Sequence, residues 1–155
     1  MTIHEYNTRL DESRLPILAE SRKYAIDGRK TYTSPSLIAE LAGDVIGLRN
    51  AAEEYCYGIA FDIKCRIIGL FECGHGSVNA SIFDVRGLYQ KALMLGAVSI
   101  AVVHNHPSGE PSPSRDDITV TECIKSAGEV LGVAFLDHII IGYPRCYSFK
   151  MQSEF

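Results

Sequence analysis

The chain has 155 residues, of which 46% are hydrophobic and 22% charged, which suits one buried core and speaks against a disordered chain. Fifteen basic against nineteen acidic residues leave a net charge of −4, and the nearest thing to a basic cluster, Arg22, Lys23, Arg29 and Lys30, is interleaved with Glu20 and Asp27, so charge gives nucleic-acid binding no support. The five cysteines show no Cys-x-x-Cys pair and read as reduced thiols of a cytoplasmic protein, with neither a signal peptide nor a membrane span expected.

Residues 1–30 mix charges without a firm period and are expected to form an N-terminal arm, with residues 31–155 as the folded domain. Ser34 followed by Pro35 marks a helix start, an N-cap and a first-turn proline, and Leu37, Ile38, Leu41, Val45 and Leu48 recur at spacings of three and four, predicting a helix from Pro35 to about Leu48. Aromatic and β-branched residues over 54–61 and 64–73, with a turn around Asp62-Ile63-Lys64, predict a hairpin. Val85, Leu88, Ala92 and Leu95 form one stripe of a helix over 84–95 that ends at Gly96.

The run Val98 to Val103 is nearly all apolar, short and without polar alternation, as in a strand covered on both faces. Residues 107–113 form a proline-rich loop, a helix is expected over 115–131, and strands follow over 135–141 and near 146–151. Alternating strands and helices with one hairpin place the chain in the α/β class, with a mixed β-sheet flanked by helices.

His104 and His106 stand two apart where the buried strand ends, so the period of two sends both imidazoles to one side, within reach of one metal ion. The first turn of the following helix, entered through Ser114, returns the carboxylate of Asp117 to the same place. Two imidazoles and a carboxylate leave the fourth position of a tetrahedral zinc for water, the arrangement of catalytic sites. Against this stands a plain alternative: Ser114 and Asp117 are also an ordinary capping pair, and a histidine at a strand end is often satisfied by structural hydrogen bonds.

His104-Asn105-His106, seven residues, Ser114, two residues and Asp117 match the His-x-His-x(7)-Ser-x-x-Asp signature of JAMM/MPN+ metalloproteases. The wording His-Asn-His-Pro-Ser-Gly resembles the RadC-type branch of that family, and similarity extends over Ser34-Pro35, residues 76–81 and residues 136–142, covering about 31–150. The resemblance implies a cytidine-deaminase-like JAB/MPN fold and one zinc ion held by His104, His106 and Asp117. It implies hydrolysis of a peptide or isopeptide bond in a peptide or protein substrate, with a general acid/base glutamate on an early strand. Alignment places that role on Glu54, with Glu53 as its rival because one step along a strand reverses the face, and Ser114 matches the serine that helps hold the oxyanion.

His75 reads as an exposed loop residue and His138 as a structural hydrogen-bonding group, each also a candidate to support the ligands from behind. The His-x-Glu and Pro-Cys-x-x-Cys signatures of the related deaminases are missing from the sequence, which excludes deamination. RadC-type proteins carry an association with DNA repair and mobile elements, so an accessory role on or near DNA is the alternative function. An inactive binding module is a third, opposed by the complete ligand set. Loops around 73–80 and 107–113 are expected to set substrate specificity.

Overall fold

The computed structural model describes residues 1–28, 31–76 and 83–152. Seven strands form one mixed sheet in the order β2-β1-β4-β3-β5-β6-β7, where β1 is Thr2–Leu10, β2 Pro16–Ala25, β3 Tyr55–Phe61, β4 Ile67–His75, β5 Ser99–Asn105, β6 Ala134–Ile141 and β7 Cys146–Ser148. The β3–β4 and β3–β5 pairs are antiparallel and β5–β6 is parallel, the latter joined through a helix as a parallel pair requires. This is the mixed α/β sheet read from the sequence.

The helices are α1 (Pro35–Glu40), α2 (Val85–Met94) and α3 (Arg115–Leu131). Ser34 caps α1, Asp84 caps α2 through Gly87 N, and Ser114 caps α3. The helix expected from Pro35 to about Leu48 does not stay α throughout: Leu41–Ile46 widens into a π-helical turn, and a short 3₁₀ turn, Leu48–Asn50, follows Gly47.

The first correction concerns residues 1–30. The segment expected to be an arm holds β1 and β2, an antiparallel hairpin whose β1 runs parallel to β4, with Glu5 opposite Leu70. Its tip turns at Asp11, whose carboxylate accepts from Leu15 N at 2.9 Å. Ile3 and Ile26 are buried in the core, while Asn7 to Leu10 and Arg22 lie exposed.

The sheet separates two apolar layers, and β5 feeds both by strict alternation. Ala101 and Val103 pack with Ile38, Leu41 and Ile59 on the α1 side, whereas Ile100 and Val102 pack with Leu88, Val120 and Ile124 on the α2–α3 side. Each fully buried Ile or Leu in these layers contributes about 1.5–3 kcal/mol. Continuing the even positions past Val102 brings His104 out on the α2–α3 side, and the odd positions bring Asn105 out opposite. The strand's core packing thus sets the direction of the polar residues that end it.

Candidate metal centre

At the C-terminal end of β5 the side chains of His104, His106 and Asp117 converge. His104 Nε2 lies 3.0 Å from His106 Nε2 and 3.2 Å from Asp117 Oδ1, and His106 Nε2 lies 3.6 Å from Asp117 Oδ2. Glu54 Oε1 stands 3.9 Å from His104 Nε2. One donor atom each of Glu54, His104 and His106 lies within 4.8 Å of the others, so these residues could hold a metal ion.

The spacings suit such an ion. Four ligands at zinc's usual bond length of about 2.0–2.1 Å stand about 3.3–3.4 Å apart along a tetrahedral edge. The 3.0 Å between the two Nε2 atoms and the 3.2 Å from His104 Nε2 to Asp117 Oδ1 lie near that value, while His106 meets the other oxygen, Oδ2, at 3.6 Å.

Burial and charge favour a cation here. His104 and Asp117 are buried, and the carboxylate faces two imidazoles rather than water. Burial pushes the Asp117 carboxyl up, but the His104 and His106 imidazoles beside it outweigh burial and hold it far below the usual carboxylate range. The contact with Asp117 in turn raises His106 above the ordinary imidazole value.

Register decides which glutamate arrives. Cys56 pairs with His104 across the β3–β5 ladder and packs in the α2–α3 layer, so position 54 has the parity of Cys56 and faces the histidines. Glu53 has the other parity; its carboxylate meets His75 Nε2 at 2.7 Å, and the His75 ring stacks on Tyr55. The structure brings Glu54 to the cluster and turns Glu53 away.

Asn105, the middle residue of the His-x-His pair, fixes the backbone on either side of Glu54. Its Oδ1 accepts from Tyr55 N at 2.8 Å and its Nδ2 donates to Glu53 O at 2.9 Å. The side chain is buried, so both bonds are shielded from water. Asn105 is not among the residues singled out from sequence, although its parity, opposite to the two histidines on a buried strand, is visible there.

Ser114 and Asp117 form a full capping box. Ser114 Oγ accepts from Asp117 N at 3.1 Å, while Asp117 Oδ2 accepts from Ser114 N at 2.7 Å and from Ser114 Oγ at 2.6 Å. The capping alternative is therefore realised together with the convergence on the histidines, because Oδ1 of the same carboxylate faces His104.

Behind His104 lies a buried polar chain. His104 Nδ1 meets His138 Nε2 at 2.8 Å, His138 Nδ1 meets Thr121 Oγ1 at 2.6 Å, and Thr121 Oγ1 donates to the Asp117 carbonyl at 2.6 Å. Burial, reinforced by the nearby His104, holds His138 well below the ordinary imidazole range. Phe149 stacks on the other face of the relay, 5.1 Å from the His138 ring. Of the two supporting histidines considered from sequence, His138 touches a cluster residue and His75 pairs with Glu53 instead.

Main-chain bonds hold the loop after His106. His106 N donates to Ile141 O at 3.0 Å, Gly109 N to His106 O at 2.9 Å, and Tyr143 N to Gly109 O at 2.9 Å. Gly109 has φ of +82°, and a Cβ on Gly142 would lie 2.5 Å from Gly109 O, so both positions call for glycine. Of the loops expected to govern specificity, 107–113 is described, while residues 77–80 of the other lie outside the described residues. The larger apolar hollow between α2 and α3, lined by Val85, Tyr89, Leu93, Ala127 and Leu131, holds no cluster of metal-binding side chains among the described residues.

With this geometry in view, comparison with known proteins gives the class. The RadC-like JAB domain matches residues 32–154, and the chain belongs to that family. A UPF0758 protein of Clostridium perfringens is 40% identical over 118 residues, 76% of this chain and 51% of the relative. A UPF0758 protein of Geobacter sulfurreducens is 34% identical over 145 residues, 94% of this chain and 58% of the relative. One of Methanosarcina barkeri is 44% identical over 103 residues, 66% of this chain and 45% of the relative. The chain thus spans about half the length of the curated relatives it matches. No helix among the described residues is long and apolar enough to cross a membrane.

Proposed function

We propose that this chain is a zinc-dependent hydrolase of the JAMM type, cleaving an amide bond in a peptide or isopeptide linkage. What supports it most is the convergence of His104, His106 and Asp117 within 3.0–3.6 Å of one another, with Glu54 standing just outside them. His104, His106 and Asp117 would hold the ion, since Asp117 is closer to His104 than Glu54 is and is the more buried carboxylate. Bound zinc supplies Lewis acidity, which lowers the pKa of a water ligand from about 15.7 toward about 7.

The other roles belong to the chain's own side chains. Glu54 would take a proton from the attacking water and return it to the leaving nitrogen, a role supported by its standing 3.9 Å from His104 and only partly buried. Ser114 turns its hydroxyl from Asp117 to the substrate oxygen as negative charge develops there, while its backbone N–H keeps the bond to Asp117 Oδ2. The capping box therefore leaves a hydroxyl free to change partner without unwinding the helix start.

Elemental analysis of the purified protein is expected to find one zinc per chain, and a panel of peptide and isopeptide substrates to find one that is cleaved. His104→Ala should remove both the ion and the cleavage. Protein without stoichiometric zinc or a related ion, with a His104→Ala variant unchanged in metal content and activity, overturns the proposal.

A further inference from the structure

One buried hydrogen bond behind His104 has an acceptor whose identity leaves no choice of direction, and it sets the direction of the others. The Asp117 carbonyl can only accept, so the hydroxyl hydrogen of Thr121 is committed to it. Thr121 Oγ1 then has lone pairs alone to offer His138 Nδ1 at 2.6 Å, and that nitrogen must carry the hydrogen. His138 is buried and its two ring nitrogens meet a threonine hydroxyl and an imidazole, so no carboxylate pairs an imidazolium there and the ring is neutral. Its one N–H is spent on Thr121, so Nε2 accepts, and His104 Nδ1 must be the donor across 2.8 Å. A neutral His104 with its hydrogen on Nδ1 carries a bare lone pair on Nε2, the atom that faces His106 and Asp117.

His106 reaches the same state by a shorter route. Its Nδ1 lies 2.8 Å from the Glu110 carbonyl, another obligatory acceptor, so in the neutral ring its Nε2 is also bare. Two lone pairs 3.0 Å apart beside a carboxylate are mutually repulsive until a cation stands between them.

We propose that His138 and Thr121 are positioning residues: they fix the tautomer of His104 through a directed chain of hydrogen bonds that begins at the Asp117 carbonyl, so that α3 supplies one carboxylate to the metal and also orients the lone pair of a second ligand. The relay rests on the metal reading above for its purpose, but its tautomers are a property of the protein alone. Asp117 thus acts twice, through its side chain directly and through its backbone by way of Thr121, His138 and His104. A shift of the α3 start moves both effects together.

The relay makes a directional prediction. Thr121→Val removes the acceptor for His138 Nδ1–H, and the His138 proton should move to Nε2. His104 must then accept on Nδ1 and carry its own hydrogen on Nε2, where it blocks the ion. His138→Leu removes the acceptor for His104 altogether, whereas His138→Gln retains a carbonyl oxygen that can accept in its place.

The test uses the full chain freed of metal by chelation, with folding of each variant verified from its amide spectrum. Long-range ¹H–¹⁵N spectra of the imidazoles, recorded where the rings are neutral, should show His104 protonated on Nδ1 in the wild type and in His138→Gln, and on Nε2 in Thr121→Val. Competition with a chromophoric zinc chelator should show about 10–100-fold weaker zinc binding for Thr121→Val and His138→Leu, and near wild-type binding for His138→Gln. A purely structural role would lower the melting temperature while leaving the tautomer and the affinity of the folded fraction unchanged, and that result overturns the proposal. So does His104 protonated on Nε2 in the wild type. If wild-type protein binds no zinc, the metal reading falls and the spectra alone decide the relay: Nδ1–H on His104 supports it and Nε2–H removes it. Should His138→Leu fail to fold, Thr121→Val, smaller in its change of shape, decides between the same outcomes.

Discussion

Among the places where this molecule sets a histidine against a glutamate or aspartate, two use the pairing in opposite ways. On the hairpin, His4 Nδ1 meets Glu20, which also holds Lys23 at 3.1 Å, with all three side chains at least one-third exposed. At the junction of β5 and α3, His104 and Asp117 are shut away from solvent, and the remaining ring nitrogens are committed to His138 and the Glu110 carbonyl. Solvent reaches the first group freely, whereas His104 and Asp117 of the second are buried. The same side chains therefore make a solvated surface contact in one place and a cation-seeking cluster in the other, and burial of the donors' partners is the difference.

The sharpest way to break this contrast is to remove one histidine from each region. His106→Ala is expected to lose stoichiometric zinc in elemental analysis and with it all hydrolysis, while His4→Ala keeps both. Next in size, Glu54→Gln should retain zinc yet lower kcat by about 10²–10⁴-fold, the usual worth of a general acid/base. Glu53→Gln should leave kcat near wild type, because that carboxylate faces His75. Equal losses from the two glutamines would refute the parity argument for Glu54.

A smaller effect concerns the support of Glu54. Asn105→Ala strands the Tyr55 N–H and the Glu53 carbonyl, and urea unfolding should show a loss of about 1–3 kcal/mol. Zinc content should persist while kcat falls, since the glutamate loses its placement and the three proposed ligands do not. An unchanged kcat would limit Asn105 to stability.

The mildest prediction uses the thiols as reporters of the same buried end. Burial raises the Cys73 thiol to about 12 and pushes Cys56, the ladder partner of His104, well above its ordinary range. A raised thiol pKa means less thiolate at any lower pH, so iodoacetamide at pH 8 should modify exposed Cys123 and Cys146 and spare Cys56 and Cys73, as read by mass spectrometry. Alkylation of Cys56 in folded protein would show that the layer beside the histidines opens to solvent.

The two regions also differ in how far the sequence announced them. Around β5 the apolar run, the proline-rich loop and the capped helix each carry a local signal, so Ser99–Asn105 and Arg115–Leu131 lie close to where patterning places them. The spacing of His104, His106, Ser114 and Asp117 was legible because strand period and helix start are local rules. The hairpin was not, because strand alternation is recognised by contrast between apolar and polar faces. Its inward side carries Glu5 next to Ile3, and the buried glutamate is satisfied by Tyr24 and Ser21 from the neighbouring strand. Beyond Glu5 the hairpin buries little, so charges appear on both faces. The choice between Glu54 and Glu53 needed the β3–β5 register. The link from His104 to His138 spans 34 residues and that from His138 to Thr121 spans 17, distances at which no local period speaks.

The loop after His106 has a consequence for how such a protein can diversify. Its attachments run between main-chain atoms, from His106 N to Ile141 O and from Tyr143 N to Gly109 O, and the Glu110 group that orients His106 is a carbonyl that every amino acid possesses. Gly109 and Gly142 are the fixed points where the two backbones touch. Ser108, Glu110 and Ser112, by contrast, present exposed side chains within a few residues of the cluster. The scaffold thus separates what must stay constant from what is free to vary: the rim can be rewritten residue by residue, in evolution or at the bench, while the imidazole beneath it keeps its orientation.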